Sequence, residues 1–229
     1  MRYRLGADDI APNHWIAWAL DLPACYSSAK NAAEAVSGAP LRITEYFTWI
    51  RMRDPLLPVP PESVEVDVVE RIPSHPSRAD PTHIVNAFFE DDRPPLTLWD
   101  IAAARRLLEW THQDLLKVIA PLRIPRKRKT IPLEMRGVIS DIIHHVAGAE
   151  NWYFGQMGLA LEPASLPDHP VGMLERIRKN TQGRLRDLRG DARVSEDREE
   201  LWSGRKVLRR TLWHERDHTQ HIRQLLGNP

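Results

Sequence analysis

Apolar and polar positions follow two different rhythms along this chain of 229 residues. Up to about residue 90 the pattern is mostly that of strands. His14-Trp15-Ile16-Ala17-Trp18-Ala19-Leu20 is a short β-favouring apolar run between the turn signals Pro12-Asn13 and Asp21-Leu22-Pro23, as expected of a strand buried on both faces. Between Asn31 and Arg53 the rhythm turns helical, with Ala35, Leu41 or Ile43, Phe47 and Ile50 apolar. Gly38 and Pro40 interrupt it, so the firm helix is expected to start near Pro40. Val64-Glu65-Val66-Asp67-Val68 then alternates, with valines on one face and acids on the other, and Ile84 to Phe89 is a further β-rich run.

From Leu96 onward the period is helical and the elements are long. Thr97 and Asp100 have the spacing of a capping box, and Ile101, Leu107, Leu108, Leu115 and Ile119 carry one helix to Pro121 and Pro125. A second helix is expected from Thr130-Ile131-Pro132 to Gly158, a third from Val171 to Leu188, and a fourth from Glu199 to Leu226, closed by Gly227. The expected architecture is a two-domain α+β chain: a small sheet domain over residues 1–90, then a four-helix bundle over 96–227. Loops between the helices of about 8 to 12 residues leave its topology open.

Composition narrows the class. Lys and Arg number 32 against 31 Asp and Glu, a net charge of +1, so no global field points to nucleic acid. A single cysteine, Cys25, excludes an intramolecular disulfide framework and a thiolate zinc site, and suits a reducing compartment. It reads as a small buried residue in a proline turn. The absence of a signal-like or membrane-length apolar stretch makes a soluble, cytoplasmic protein the expectation, with no membrane partner. Of 19 prolines, nine lie between Pro55 and Pro95, which marks the seam between the domains. Arg123 with Arg126-Lys127-Arg128-Lys129 is the one concentrated basic run. It reads first as a solvated loop, with a phosphate or nucleic-acid contact as the alternative.

The histidines carry the candidate chemistry. Val138, Ile142, His145, Ala149 and Trp152 form one stripe of the second helix, so His145 is expected within an apolar face where an unpaired imidazole needs a partner. Val207, Thr211, His214, His218 and Leu225 share a stripe of the last helix. Four residues advance a helix by about 400°, so His214 and His218 project about 40° apart, a geometry that chelates one metal. His221 falls within about 20° of His214. With His145 on a facing helix, three neutral imidazoles would hold a divalent ion and leave a position open, the catalytic pattern. Zinc, nickel, iron, copper or manganese all suit such a set.

Several neighbours are candidates for a further role. Asp141, four residues before His145, is in reach of its second ring nitrogen or of the metal. Trp152, which extends the stripe, is the pocket candidate, and Glu150 is expected at the mouth. Glu215, Asp141 and His221 are the candidate proton-transfer groups. His214-Glu215-Arg216-Asp217-His218 also fits the HExxH string of zinc peptidases, but the downstream third ligand of those enzymes is missing from the eleven residues that follow.

Over about residues 96–227 the chain resembles the DinB-like superfamily of metalloenzymes. The resemblance rests on His145-Val-Ala-Gly-Ala-Glu150-Asn-Trp152-Tyr153 and on the His214/His218 pair in the last helix; His221-Ile222 departs from it, glutamine being usual before the isoleucine. It implies an antiparallel four-helix bundle in a bacterial protein, with one divalent metal on His145, His214 and His218 and His221 open as a fourth ligand. It also implies thiol transfer to, or hydrolysis of, a small molecule, with a low-molecular-weight thiol as one substrate.

The first 70 or so residues resemble HicB-like antitoxin domains through Asp21-Leu22-Pro23-Ala24-Cys25, Glu34-Ala35 and Tyr46, with Ala24 where glycine is usual. That resemblance implies a small sheet with a packed helix. The competing expectation is a non-enzymatic regulatory protein that binds a partner through this domain and uses the bundle as a homodimer scaffold.

Overall fold

The structure, a computed structural model, describes residues 1–227 apart from the side chains of Pro125 and Arg126. The protein is of mixed α and β content, with long helices and small sheets. It divides into two compact units: residues 1–94 with 194–202, and residues 95–193 with 203–229.

In the first unit, strands β1 (Arg2–Ala11), β2 (His14–Ala19), β3 (Tyr26–Ala29) and β4 (Glu65–Arg71) form a sheet of order β3-β2-β1-β4. β1 runs antiparallel to β2 and parallel to β4. Ile16, Ala17, Trp18 and Ala19 are all buried, as the apolar run in β2 requires. Asp8 of β1 is fully buried and accepts a 2.6 Å hydrogen bond from the Trp18 indole across the strand pair. The valine face of β4 is only partly covered: Val66 is half-buried and Val68 is 45% exposed, and the neighbouring Val69 of this edge strand is 48% exposed. Of the β-rich run from Ile84 to Phe89, only Ile84–Val85 is strand; Phe89 is a core residue whose ring lies over Gly6, where a Cβ would stand 2.8 Å from it.

Helix α1 (Ala32–Arg53) begins eight residues before the expected start at Pro40. Asn31 caps it by accepting from the Glu34 amide, and Ala35, Ala39, Ile43, Phe47 and Ile50 form one buried stripe. Burial of that stripe outweighs the hydrogen bond that Pro40 forfeits. Gly38 is there for packing, since a Cβ would sit 2.7 Å from the Ser27 hydroxyl of β3.

The expected fourth helix is also corrected. Residues from Glu199 to Trp202 belong instead to a hairpin of the strands Ser195–Asp197 and Glu200–Trp202, within the first unit. Its two-residue turn places Arg198 and Glu199 at φ of 48° and 70°, a conformation costly for side chains that are not glycine. Contacts distant in sequence offset that cost: Arg198 pairs with Asp80 at 3.1 Å, and Glu199 accepts from the Arg78 amide and guanidinium at 2.5 and 2.6 Å.

The second unit contains α2 (Leu98–Arg123), the short α3 (Pro125–Arg128), α4 (Leu133–Gly155), α5 (Pro170–Arg184) and α6 (Gly204–Leu225). Both arms of the Thr97/Asp100 capping box are present at the start of α2, which runs through Pro121. Ser203 caps α6. α6 packs against α2 and α4, and α4 also packs against α5. Leu115, Ile119, Ile139, Ile143, Val146, Leu174, Ile177 and Ile222 join these helices in one core. No helix among the described residues is long and apolar enough to cross a membrane.

The glycines give a direct stability test. Gly6→Ala drives a methyl into a buried ring and lowers the unfolding free energy by about 1–3 kcal/mol. At Gly137 in α4 a Cβ meets nothing within 4 Å, and Gly137→Ala stabilises by about 0.5–1 kcal/mol. Urea denaturation of the two variants reads both signs.

Candidate metal centre

The last helix sets the geometry. Val207, Thr211 and His214 are buried along one face of α6, and His218 follows one turn later, half-buried. His145 comes from α4. Its Nε2 lies 3.1 Å from the Nε2 of His214, which in turn lies 3.2 Å from the Nε2 of His218. A ligand nitrogen of each lies within 4.8 Å of the other two. The rings meet edge-on, with interplanar angles of 65°, 85° and 76°, so their nitrogen edges face one another.

Hydrogen bonding alone does not account for these contacts. The Nε2 of a neutral imidazole carries either one proton or one lone pair, so His214 Nε2 satisfies one neighbour and not both. Two nitrogens held tetrahedrally at about 2.0–2.1 Å from one ion stand about 3.3–3.4 Å apart, close to the separations found. The three histidines are thus compatible with a metal site.

Their protonation favours it as well. Burial, together with His218, His145 and Arg210, holds His214 well below the usual histidine range. Burial, with His145 and His221, pushes His218 down to about 4. At neutral pH both rings are uncharged, with lone pairs to offer. His218 Nδ1 is shielded without a hydrogen-bond partner among the described protein atoms.

The structure differs from the sequence reading at several neighbours. The buried face of α4 is Ile139, Ile143, Val146 and Ala147, which leaves His145 at the exposed margin rather than mid-stripe, and the expected stripe member Val138 43% exposed. Asp141 is exposed and does not join the three histidines. His221 is exposed, with its ring centroid 6.2 Å from that of His218, and does not join them either. The aromatic ring of α4 set against His214 is Tyr153, at 5.9 Å and nearly perpendicular; Trp152 lies tilted beside Tyr153 at 5.4 Å. Arg210, one turn before His214, lies over Trp213 at 4.6 Å, and its charge further disfavours an imidazolium.

Glu215, the acid of the HExxH string, points away into the core. It accepts from the Thr111 hydroxyl, lies 3.3 Å from His112 Nδ1 and pairs with Arg178 at 3.0 Å. Arg178 also pairs with Glu150 at 2.6 Å and donates to the Leu108 carbonyl. All three charged residues are at least 97% buried, so Glu150 is a core partner rather than a mouth residue. Burial alone would lower the Arg178 pKa, but the two carboxylates reverse that and raise it. Burial pushes Glu215 up, and Arg178, His112 and Thr111 pull it below the ordinary range.

Comparison with protein-family models, curated proteins and solved structures finds no match. Two outcomes follow from the geometry. Arg178→Met leaves Glu150 and Glu215 without their cation and destabilises by about 3–5 kcal/mol in urea unfolding. In metal-free protein, the depressed histidines are neutral when folded and take up protons when unfolded, so their stabilisation is complete above the unfolded value near 6.5 and is lost as pH falls toward about 4. Unfolding measured at steps across that window shows the decline, and the double variant His214→Gln/His218→Gln flattens it.

Proposed function

We propose that the chain is a divalent-metal-dependent enzyme of the DinB-like type. In this reading the second unit is an antiparallel four-helix bundle, His145, His214 and His218 hold one ion, and the reaction is thiol transfer to, or hydrolysis of, a small molecule. The observation that carries it is the convergence of three imidazole nitrogens, with contacts of 3.1 and 3.2 Å that hydrogen bonding cannot satisfy together. A divalent ion held by three neutral nitrogens supplies a Lewis acid that lowers the pKa of water or a thiol, or polarises an electrophile.

The chain's own residues divide the remaining work. His145 lies on the exposed side, which leaves the centre reachable by substrate, while Tyr153 and Trp213 wall the buried side. Glu215 is committed to Arg178 and is not available as a base, which argues against peptidase chemistry of the HExxH kind. His221, exposed with its ring 6.2 Å from that of His218, is the nearest group left to accept a proton, with the exposed Asp141 as the second candidate. Cytoplasmic location and a low-molecular-weight thiol substrate go with this proposal.

Chelator-stripped protein tests it. Added zinc, nickel or manganese at about a hundredfold over Kd raises the melting temperature by roughly 5–10 °C, and His214→Ala and His218→Ala abolish the shift. Metal-loaded protein then consumes a small thiol in the presence of an alkylating electrophile, or hydrolyses a small ester or amide. Protein that neither binds an ion nor shifts refutes the reading. Glu215→Gln loses stability because the acid is part of the Arg178 network, whereas a peptidase glutamate acts as a base.

One observation favours the non-enzymatic alternative for the first unit. Its four-stranded sheet with α1 packed on it suits a HicB-like domain, and β4 presents an edge with Val68 and Val69 exposed, the kind of edge to which a partner strand adds. Partner binding of that kind would survive substitution of all three histidines.

A further inference from the structure

In the second unit a cavity of about 340 Å³ opens among the end of α2, the first half of α4 and the start of α5. Its polar wall is cationic. Arg123 comes from α2, Arg128 from α3, Arg136 and Ser140 from α4, and His169 precedes α5. The partly buried Leu122 and Val171 form an apolar floor over the core residues Ile119 and Ile143, and no carboxylate lines the cavity.

The charges here are largely uncommitted. Arg123 makes one 3.4 Å pair with Glu175, both half-exposed. Arg128 and Arg136 have no carboxylate partner among the described residues, and Arg136 Nε is shielded from solvent with no hydrogen-bond acceptor. A desolvated guanidinium N–H without an acceptor is a standing cost that an anion in the cavity would remove. α5 begins at the same wall without a side-chain cap, adding the positive end of its dipole. The volume is that of a small-molecule site rather than a groove for a polymer.

We propose that this cavity binds a small organic phosphate. Its phosphoryl oxygens lie against Arg136, Arg128 and the Ser140 hydroxyl, and its apolar part rests on Leu122 and Val171. A phosphate dianion offers more acceptor oxygens to several guanidinium forks than a carboxylate does. Ser140 and His145 lie about 140° apart around α4, so this site is distinct from the histidines and does not rest on the metal reading. The basic run between α2 and α4 gains a function in this way, although the side chain of Arg126 lies outside the described residues.

Isothermal titration of the full chain at low salt with phenyl phosphate tests it. The expected Kd is roughly 1 mM or tighter. Inorganic phosphate binds at least about tenfold more weakly because it leaves the apolar floor uncovered. Arg136→Met and the more exposed Arg128→Met each weaken binding by at least about tenfold with unchanged circular dichroism. His214→Ala leaves it unaltered. Absence of binding up to roughly 10 mM, equal binding in both arginine variants, equal affinity for inorganic phosphate, or loss in His214→Ala would each overturn the proposal.

Discussion

The second unit is organised around one buried cation. Arg178 of α5 joins Glu150 of α4 to Glu215 of α6 and reaches the Leu108 carbonyl of α2, so a single guanidinium touches all four long helices of that unit. Removing any partner leaves a charge in a water-excluded interior, so the four helices have little freedom to slide past one another. Glu215 adjoins His214 and Glu150 is five residues beyond His145. The network therefore sets the register of α4 against α6, and that register brings His145 to the His214/His218 pair.

The two residues of the His214-Glu215 step perform opposite tasks because of the helical angle between them. His214 faces two other imidazoles at a margin open to solvent through His145, and Glu215, about 100° away, faces the charged core. On the proposed metal reading, such support behind the three rings holds them in place without the ion, so little is lost in ordering them on binding. Tyr153, Trp213 and Arg210 complete the buried side, and burial together with His218, His145 and Arg210 keeps His214 neutral.

How much of this was legible in the sequence differed by the range of the interaction. The His214/His218 spacing and the Thr97/Asp100 cap are local, and both were readable. The stripe of α4 was misplaced by one residue, because Val138, Ile142 and Ala149 are as apolar as the true core positions Ile139, Ile143 and Val146, and only packing against α5 and α6 chooses between them. The partners of Glu215 were illegible, since Thr111 and Arg178 lie 104 and 37 positions away and nothing local announces them. The hairpin at Ser195–Trp202 was hidden for a similar reason: an acidic, helix-favouring stretch is held in a strained turn by Arg78 and Asp80. Pro40 misled in the other direction, where a continuous buried stripe overrode a local breaker.

The central claim is that one ion is shared by nitrogens from two helices. X-ray absorption at the zinc edge of the zinc-loaded full chain examines it most directly. The account predicts a nitrogen shell at about 2.0–2.1 Å with three imidazoles, falling to two in His145→Ala. A shell of oxygens alone, or one that His145→Ala leaves unchanged, would contradict it.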